Sequence, residues 1–367
     1  MSYMRVVLLS LWLVMGVGSA WGQETTDDFV KNKYKAIVAY RQAANCYYAM
    51  DTIVSNYKFG TQSVVVLNEK VFCEDDIAKR IAWTCENNTL ATFGKGYLKY
   101  TSETNITLNY KTSYSWSINE QQQIYDKTSI RFIAYNYNSG NPRFGAYVSS
   151  NSYPKATLMD FATDEDGYMR TGLSAGKVGT ICLARSVSAG NVVGAKIYTI
   201  VGKILDSDGN PTDIVLEEIT NGLIAGRPYI FIADSETLVA AYDTDSEAVT
   251  EASDYNGLYG VIGDTHTVTD SEQNIYAITN NTVKAAATGT TIRDCRAYID
   301  MSKVPVYGAS SAKSVITFSI GNAYTGVTPV SNDMITDDAM YNLNGQRIVT
   351  PVKGQIYIKG GKKYVER

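Results

Sequence analysis

The sequence is poor in the residues that usually build metal sites and disulfide frameworks. It has one histidine, His266, and five cysteines in 367 residues. A single imidazole without a second histidine or a paired cysteine cannot make a typical zinc site, so His266 is expected as a surface loop or strand residue. The cysteines are odd in number and widely spaced, which excludes a dense disulfide framework. Cys73 and Cys85 are close enough in sequence to pair, and the alternative is a set of buried thiols.

Clusters of positive charge are also missing. The net charge is −4, and the lysines and arginines are scattered apart from the pair Lys362–Lys363. Proteins that bind nucleic acid carry a basic patch or stripe that neutralises phosphates. Nucleic acid is therefore not an expected partner.

Long apolar runs are absent after the N-terminus. Arg5 precedes an apolar run over 6–17, and Ala20 and Gly22 place small residues before Gln23. This order is typical of a secretory signal peptide over 1–22, cleaved before Gln23. The alternative, an N-terminal membrane anchor, needs roughly 20 apolar residues, which the run does not reach. We therefore expect an exported chain without a transmembrane span.

Tyrosine and short apolar segments are what the sequence does have. There are 28 tyrosines, a residue favoured in half-buried strands. Segments rich in β-branched and aromatic residues, bounded by turn residues, predict strands. These segments are 63–67, 131–135, 196–201, 213–216, 228–232 and 315–320. Only 26–49 and 74–83 admit a helical interpretation, so the predicted fold class is all-β with scattered short helices.

Shifts in composition divide the exported chain into modules. A first module over 23–162 ends before the acidic stretch 163–166, and a second covers 167–321. A linker over 322–338 leads to a tail over 339–367. In the tail, Asn344–Gly345 and Gly360–Gly361 each lie between apolar segments, which predicts two hairpins and a four-stranded mini-sheet.

Six residues of the tail follow a recognisable pattern, namely Tyr341, Leu343, Gly345, Gly354, Tyr357 and Gly361. With them the tail resembles the C-terminal sorting domain of secreted Bacteroidetes proteins, which shows a Tyr-x-Leu-x-Gly pattern, a Lys-Gly-x-Tyr-Ile segment and a Gly-Lys-Lys-Val ending. The tail departs from that pattern by Gln355 inside the second segment and by its Glu-Arg ending. In that family the tail directs passage across the outer membrane by the type nine secretion route. The resemblance implies the secretion machinery as a partner and a final location on the cell surface or in the medium.

The two larger modules resemble β-rich modules of exported proteins from the same bacteria, in families of unknown function. In the first, the phrases at 94–100, 114–118 and 130–136 are similar to a trefoil- or barrel-like accessory module that serves binding or spacing. In the second, the phrases at 179–183, 224–231 and 296–300 are similar to a β-sandwich-like module. No chemistry is attached to that second resemblance.

One group of residues in the first module has the composition of a sugar-binding surface. It consists of Trp83, Trp116, Tyr135, Tyr137 and Arg143. Aromatic faces could stack on a sugar ring, with the guanidinium as a hydrogen-bond donor. The alternative is core packing of a β-barrel, which uses the same residue types.

Two motifs suggest chemistry but lack its sequence context. Asp206, Asp208 and Asn210 begin like a Ca²⁺ loop, although Pro211 stands where an EF-hand needs glycine, so a hairpin loop is the alternative. Gly172–Gly176 spells G-x-S-x-G, but no helix is predicted after it, as a hydrolase elbow requires. We expect no metal site, no cofactor and no catalytic residues.

The leading hypothesis is a secreted or cell-surface, non-enzymatic binding or adhesion protein, with a glycan or a host surface protein as partner. A second hypothesis is a secreted hydrolase with an unrecognised carboxylate pair, for which a cleft has to gather two carboxyl groups. A third is a structural spacer or fimbria-like assembly subunit with exposed strand edges.

Overall fold

The computed structural model describes residues 29–307, apart from 56, 94, 95 and 139, and beyond them only short strands. The predicted signal peptide over 1–22 lies outside the described residues. The chain divides into two compact units. Unit 1 comprises the residues up to Gly172 together with Val187–Gly194 and Thr237–Ser246, and unit 2 comprises the rest.

Strands dominate both units, so the all-β prediction is confirmed. The strands up to Arg170 are β1 Lys35–Arg41, β2 Cys46–Ser55, β3 Lys58–Leu67, β4 Lys70–Phe72, β5 Ala82–Glu86, β6 Thr89–Thr92, β7 Gly96–Ser102, β8 Asn105–Asn109, β9 Ser117–Ile118, β10 Ile124–Asp126, β11 Arg131–Asn136, β12 Arg143–Val148, β13 Thr157–Phe161 and β14 Gly167–Arg170.

The strands that follow are β15 Val178–Cys182, β16 Val192–Val193, β17 Ala195–Leu205, β18 Pro211–Ile219, β19 Pro228–Ala233, β20 Leu238–Ala241, β21 Asp254–Tyr255, β22 Leu258–Val261, β23 His266–Thr267, β24 Ile275–Thr279, β25 Thr282–Ala285, β26 Thr291–Ile292, β27 Arg296–Asp300, β28 Val315–Ser319, β29 Thr328–Pro329, β30 Met340–Tyr341, β31 Arg347–Ile348, β32 Ile356–Lys359 and β33 Lys362–Val365. The six predicted strand segments fall on these strands, except that residue 320 of the segment 315–320 lies outside the described residues.

The described residues contain one α-helix, α1, over Asp75–Ile81. Acidic residues occupy its first turn and basic residues its last, which suits the helix dipole. Ala78 and Ile81, three residues apart, share its buried face. The helical interpretation of 74–83 is therefore confirmed over Asp75–Ile81, after which β5 begins. The described part of 26–49 holds no α-helix: β1 and the start of β2 lie there, with single 3-10 turns at Lys31–Lys33 and Gln42–Ala44.

Five strands of unit 1 form a closed circuit, as in a barrel. β1 pairs with β2, β2 with β3, β3 with β4, and β13 pairs with both β4 and β1. The enclosed core takes Ala36 and Val38 from β1, and α1 contributes Ala78 and Ile81 to it. A short helix thus closes a small core that the circuit alone leaves open.

β1 is buried on both of its faces. Successive side chains of a strand point to opposite sides. Ala36 and Val38 pack inside the circuit, while Ile37 and Ala39 join a larger core built with β5–β8 and β9–β12. The apolar run of β1 therefore does not alternate with polar residues, which explains why its sequence alone is also compatible with a helix.

Segments distant in sequence complete unit 1. β14 and β16 pair with β20, and together they make a three-stranded sheet. Val239 and Ala241 of β20 pack with Phe72 and Ala162. Parts of the predicted second module, 187–194 and 237–246 among them, therefore cluster with unit 1.

Unit 2 is a sandwich of two sheets around one core. The first sheet has the order β15-β19-β17-β18-β28-β29, and the second has the order β21-β22-β27-β24-β25. Ile200, Ile214 and Ile230 come from the first sheet, and Leu258 and Ile299 come from the second, into the same buried cluster. β29 lies within the predicted linker over 322–338.

The predicted four-stranded sheet of the tail is present, in the order β31-β30-β32-β33. Tyr341 is opposite Arg347, and Lys359 is opposite Lys362, in antiparallel pairs. The predicted turns at 344–345 and 360–361, and with them Leu343, Gly345, Gly354 and Gly361, lie outside the described residues. Among the described residues, no helix combines the length and the apolar character that crossing a membrane requires.

Candidate binding pocket

The aromatic residues singled out from the sequence lie mainly inside unit 1. Trp83, Trp116 and Tyr135 are at most 1% exposed and belong to its larger core. The indole nitrogen of Trp116 donates to the carbonyl of Leu98 at 2.9 Å. Without an exposed ring face these three residues cannot stack on a sugar, so their burial favours core packing.

Tyr137 and Arg143 are half-buried. The structure brings Tyr137 next to Tyr135, with ring centroids 6.2 Å apart. The guanidinium of Arg41 covers Tyr137 at 4.5 Å, and Tyr153 meets it edge-on at 5.7 Å. A ring with these neighbours offers little face to a ligand.

The loop with the Ca²⁺-like sequence is closed by its own hydrogen bonds. Asp206 Oδ1 accepts from the backbone amides of Asp208 at 2.9 Å and Asn210 at 2.8 Å. The Asn210 amide is the main cause that lowers the pKa of the Asp206 carboxyl. Among the described residues, no three His, Cys, Asp or Glu side chains gather as a metal site. The geometry is that of a hairpin turn.

The G-x-S-x-G segment also forms a turn. Gly172 and Gly176 both have positive φ, and Lys177 N donates to Ser174 O at 2.9 Å. The segment that follows is strand β15, whereas a hydrolase elbow continues into a helix. This arrangement favours the small-residue turn.

A polar pocket of about 390 Å³ lies in unit 2, beside strands β22 and β27 of the second sheet. Strands β22, β23 and β27 and the segment 250–252 surround it. Its lining includes two carboxylates, one imidazole, one phenol and two residues of β22. These groups belong to Glu251, Asp264, His266, Tyr298, Gly260 and Val261.

Three stacked rings, those of Tyr259, Tyr298 and His266, form a column, and two of them, Tyr298 and His266, line the pocket. Tyr259 and Tyr298 are directly opposite each other on β22 and β27, and their rings are nearly parallel with centroids 5.5 Å apart. His266 stacks on Tyr298, with centroids 4.5 Å apart. Opposed side chains of antiparallel strands lie close enough for such contact. The register of β22 and β27 therefore sets the position of the Tyr298 ring, on which the imidazole stacks.

Glu272 lies in contact with the imidazole of His266. Its Oε1 is 3.0 Å from His266 Nε2, an ion-pair contact without the alignment of a hydrogen bond. Its Oε2 accepts from Thr269 N at 2.8 Å and from Thr269 Oγ1 at 3.0 Å. The Thr269 amide, with help from the Thr269 hydroxyl and the charge of His266, lowers the pKa of the Glu272 carboxyl. The bonds from Thr269 thus hold Glu272 as a carboxylate beside His266.

Burial raises the pKa of Tyr298, and the negative charge of Glu272 raises it further. At neutral pH the phenol is therefore uncharged and can both donate and accept a hydrogen bond. Glu251 and Asp264 are exposed at the rim and can accept hydrogen bonds from hydroxyl groups or ammonium groups.

The pocket lining offers several groups that can form hydrogen bonds. Besides the phenol of Tyr298, the hydroxyl-bearing residues in the lining are Thr250 and Thr265. Both rim carboxylates are exposed, whereas the general acid of a glycosidase sits in an apolar surrounding. These groups can donate to, or accept from, the polar groups of a ligand.

Sequence reasoning singled out His266 but did not find its partners. His266 was expected in a surface loop or strand. It lies in strand β23, and its side chain is half-buried, with 28% exposed. Tyr259 and Tyr298 lie inside short segments that form strands, and this was the only sign that they could line a sheet surface. Their pairing depends on a register between strands that the sequence does not display.

No protein-family model matches the chain, and no curated protein is significantly similar to it. The geometry of the pocket therefore carries the functional argument.

Proposed function

We propose that this chain is an exported, non-enzymatic binding protein and that the pocket in unit 2 binds a glycan. The observation that supports the proposal is the pocket itself, about 390 Å³ with two carboxylates, an imidazole and a phenol in its lining. Sugar hydroxyls donate to carboxylates, and hydrogen bonds to charged groups contribute about 1.5–3 kcal/mol each.

Its open rim fits a terminal sugar or a short chain better than a buried cofactor. Glu251 and Asp264 stand at the rim, while the ring column gives a firm wall. Because the strands hold that wall in place, binding needs little ordering of side chains, which reduces the entropy cost of association.

A glycan array probed with the purified chain tests the proposal, followed by calorimetric titration of the best ligand. Asp264→Asn keeps the size of the side chain but removes the charge at the rim, and we expect at least about tenfold weaker binding. Asp208→Asn makes the same change in an exposed loop outside the pocket lining and is the matched control. Failure of every glycan class to bind, or equal loss in both variants, would contradict the proposal.

The hydrolase alternative has one observation in its favour, because the pocket gathers Glu251 and Asp264. Incubating the array ligands with the chain and measuring released reducing ends distinguishes the two functions. We expect no release. Release that disappears in both Glu251→Gln and Asp264→Asn would favour the hydrolase.

Export is the second part of the proposal. It rests on the signal-like N-terminus over 1–22 and on the resemblance of the tail over 339–367 to sorting domains. Fractionation of cells that express the chain with and without 339–367 is the test. We expect the full chain on the surface or in the medium, and the truncated chain retained in the periplasm. An unchanged location would remove the sorting role of the tail.

A further inference from the structure

Cys182 and Cys295 lie opposite each other where the two sheets of unit 2 meet. The hydroxyl of Thr180, on β15, donates to the carbonyl of Ala297 at 3.0 Å, and it accepts from the Ala297 amide at 2.9 Å. Cys182 comes two residues after Thr180, and Cys295 comes two residues before Ala297. Cys182 N donates to Cys295 O at 3.4 Å. The two contacts therefore follow one antiparallel alignment of the two segments.

The side chain of Cys182 points toward the sheet that carries Cys295. Residues two apart on a strand share a face, so Cys182 projects on the same side as Thr180, which reaches Ala297. A Cβ added at Gly260, the residue opposite Ala297, would fall well inside van der Waals distance of Cys182 Sγ. The thiol of Cys182 therefore occupies the space between the sheets.

Two residues that exchange both backbone hydrogen bonds of an antiparallel pair have Cα atoms about 5.5 Å apart, which a disulfide can span. Cys182 and Cys295 share one such bond, so their Cα atoms lie near that spacing. All five cysteines are thiols in the structure. Cys73 and Cys85 pack in different cores of unit 1, so the pairing considered from the sequence is not favoured.

The two thiols differ in reactivity. Cys182 is buried, and burial is the main cause that raises its pKa to about 12, with the charge of a Cys295 thiolate as a further cause. Its thiol donates to Gly226 O at 3.3 Å. Cys295 is half-buried and has a φ of 57°, a conformation that side-chain-bearing residues rarely adopt. Cys295 is therefore the thiol that an oxidant reaches first.

We propose that Cys182 and Cys295 form a disulfide in an oxidising environment and that it ties the two sheets together beside the pocket. The oxidant is a disulfide, either a small molecule or a thiol oxidase. The Cys295 thiolate attacks one oxidant sulfur and expels the other as a thiol. Cys182 then loses its proton and attacks Sγ of Cys295, which releases the second thiol. Two protein S–H bonds are lost, one S–S bond forms, and the oxidant is reduced by two electrons.

The disulfide would affect both the stability of the fold and the position of the pocket lining. The bond would close a loop of about 110 residues, which restricts the unfolded state strongly. It would also fix Gly260 and Val261, which line the pocket, relative to β15. The bond would form whichever ligand the pocket takes.

The test is to incubate the purified chain in a buffer of oxidised and reduced glutathione and to map its thiols by mass spectrometry. We expect two of the five thiols to disappear, and one cross-linked peptide pair to contain Cys182 and Cys295. Persistence of all five thiols would overturn the proposal. So would a stable glutathione adduct on Cys295 with Cys182 still a thiol, or a cross-link between other cysteines.

Thermal unfolding of the oxidised and reduced chain distinguishes a native bond from one trapped in misfolded protein. We expect oxidation to raise the unfolding midpoint by several degrees in the unsubstituted chain and in Cys85→Ser. In Cys295→Ser the midpoint should not respond to oxidation. Cross-linking without a rise in the midpoint would show that the pair does not form in the folded structure, and would also overturn the proposal.

Discussion

Tyr298 stacks on His266, with ring planes 16° apart and centroids at 4.5 Å, and Glu272 Oε1 lies 3.0 Å from Nε2 of that imidazole. A carboxylate outside the pocket lining therefore contacts a ring inside it. Because folding lowers the pKa of Glu272, the contribution of this carboxylate to stability depends on pH with a known sign.

The first prediction concerns Glu272→Gln. A carboxyl whose pKa is lowered by folding stabilises the chain above its ordinary pKa, near 4.5, and loses that contribution as the pH falls through the folded value. The difference in unfolding free energy between the unsubstituted chain and Glu272→Gln should be present at neutral pH and shrink below about pH 4.5. Urea unfolding at several pH values measures it.

Glu251→Gln is the control for loss of a carboxylate, because Glu251 lies at the pocket rim. A Glu272→Gln chain that is as stable as the unsubstituted chain at neutral pH would show that the contacts of Glu272 with Thr269 and His266 do not stabilise the fold.

The second prediction concerns Trp116, for which the sequence left sugar binding and packing open. Its ring is 1% exposed and its indole nitrogen donates to Leu98 O. Trp116→Ala should lower the free energy of unfolding by about 3–5 kcal/mol through loss of buried area and the cavity left behind. Chemical denaturation measures the change.

Tyr110→Ala is the control, since that ring is 70% exposed. It should change the unfolding free energy by no more than about 0.5 kcal/mol. A Trp116→Ala chain that keeps its stability but loses glycan binding would favour the sugar-platform interpretation.

Local patterns predicted much of the fold. Strands such as β17 and β19 have β-branched runs between turn residues, and α1 has charges placed to suit its dipole. The pairing of β30 with β31, and of β32 with β33, followed from Asn-Gly and Gly-Gly between apolar segments. In each case the residues that predict the element lie within it or within a few residues of it.

Longer-range relationships could not be predicted. β1 pairs with β13, more than a hundred residues later, and its two faces are buried by two cores built from distant strands. The pocket combines side chains at 250–252, 260–266 and 298, which only strand register brings together. The exposure of Trp83 or Trp116 likewise depends on neighbours from distant strands.

The third prediction concerns Gly260, whose missing side chain leaves room for Cys182 Sγ. Under reducing conditions, Gly260→Ala should lower the unfolding free energy by about 1–3 kcal/mol through overpacking. Combining it with Cys182→Ala should recover part of that loss, since Ala252 also lies close to the added methyl group. Gly190→Ala is the matched control, because no atom lies within 4 Å of its added carbon. Equal effects at both glycines would exclude the steric explanation.

The fourth prediction concerns calcium and the loop from Asp206 to Asn210. Asp206 Oδ1 already accepts from two backbone amides, and a Ca²⁺ ion needs six to eight oxygen ligands. Millimolar Ca²⁺ should therefore leave the unfolding midpoint of the chain unchanged in a thermal scan with and without chelator. Asp206→Ala should lower the midpoint because it frees the amides of Asp208 and Asn210, whereas Asp208→Ala should not. A midpoint that rises with Ca²⁺ in the unsubstituted chain, but not in Asp206→Ala, would instead show that the loop opens to ligate the ion.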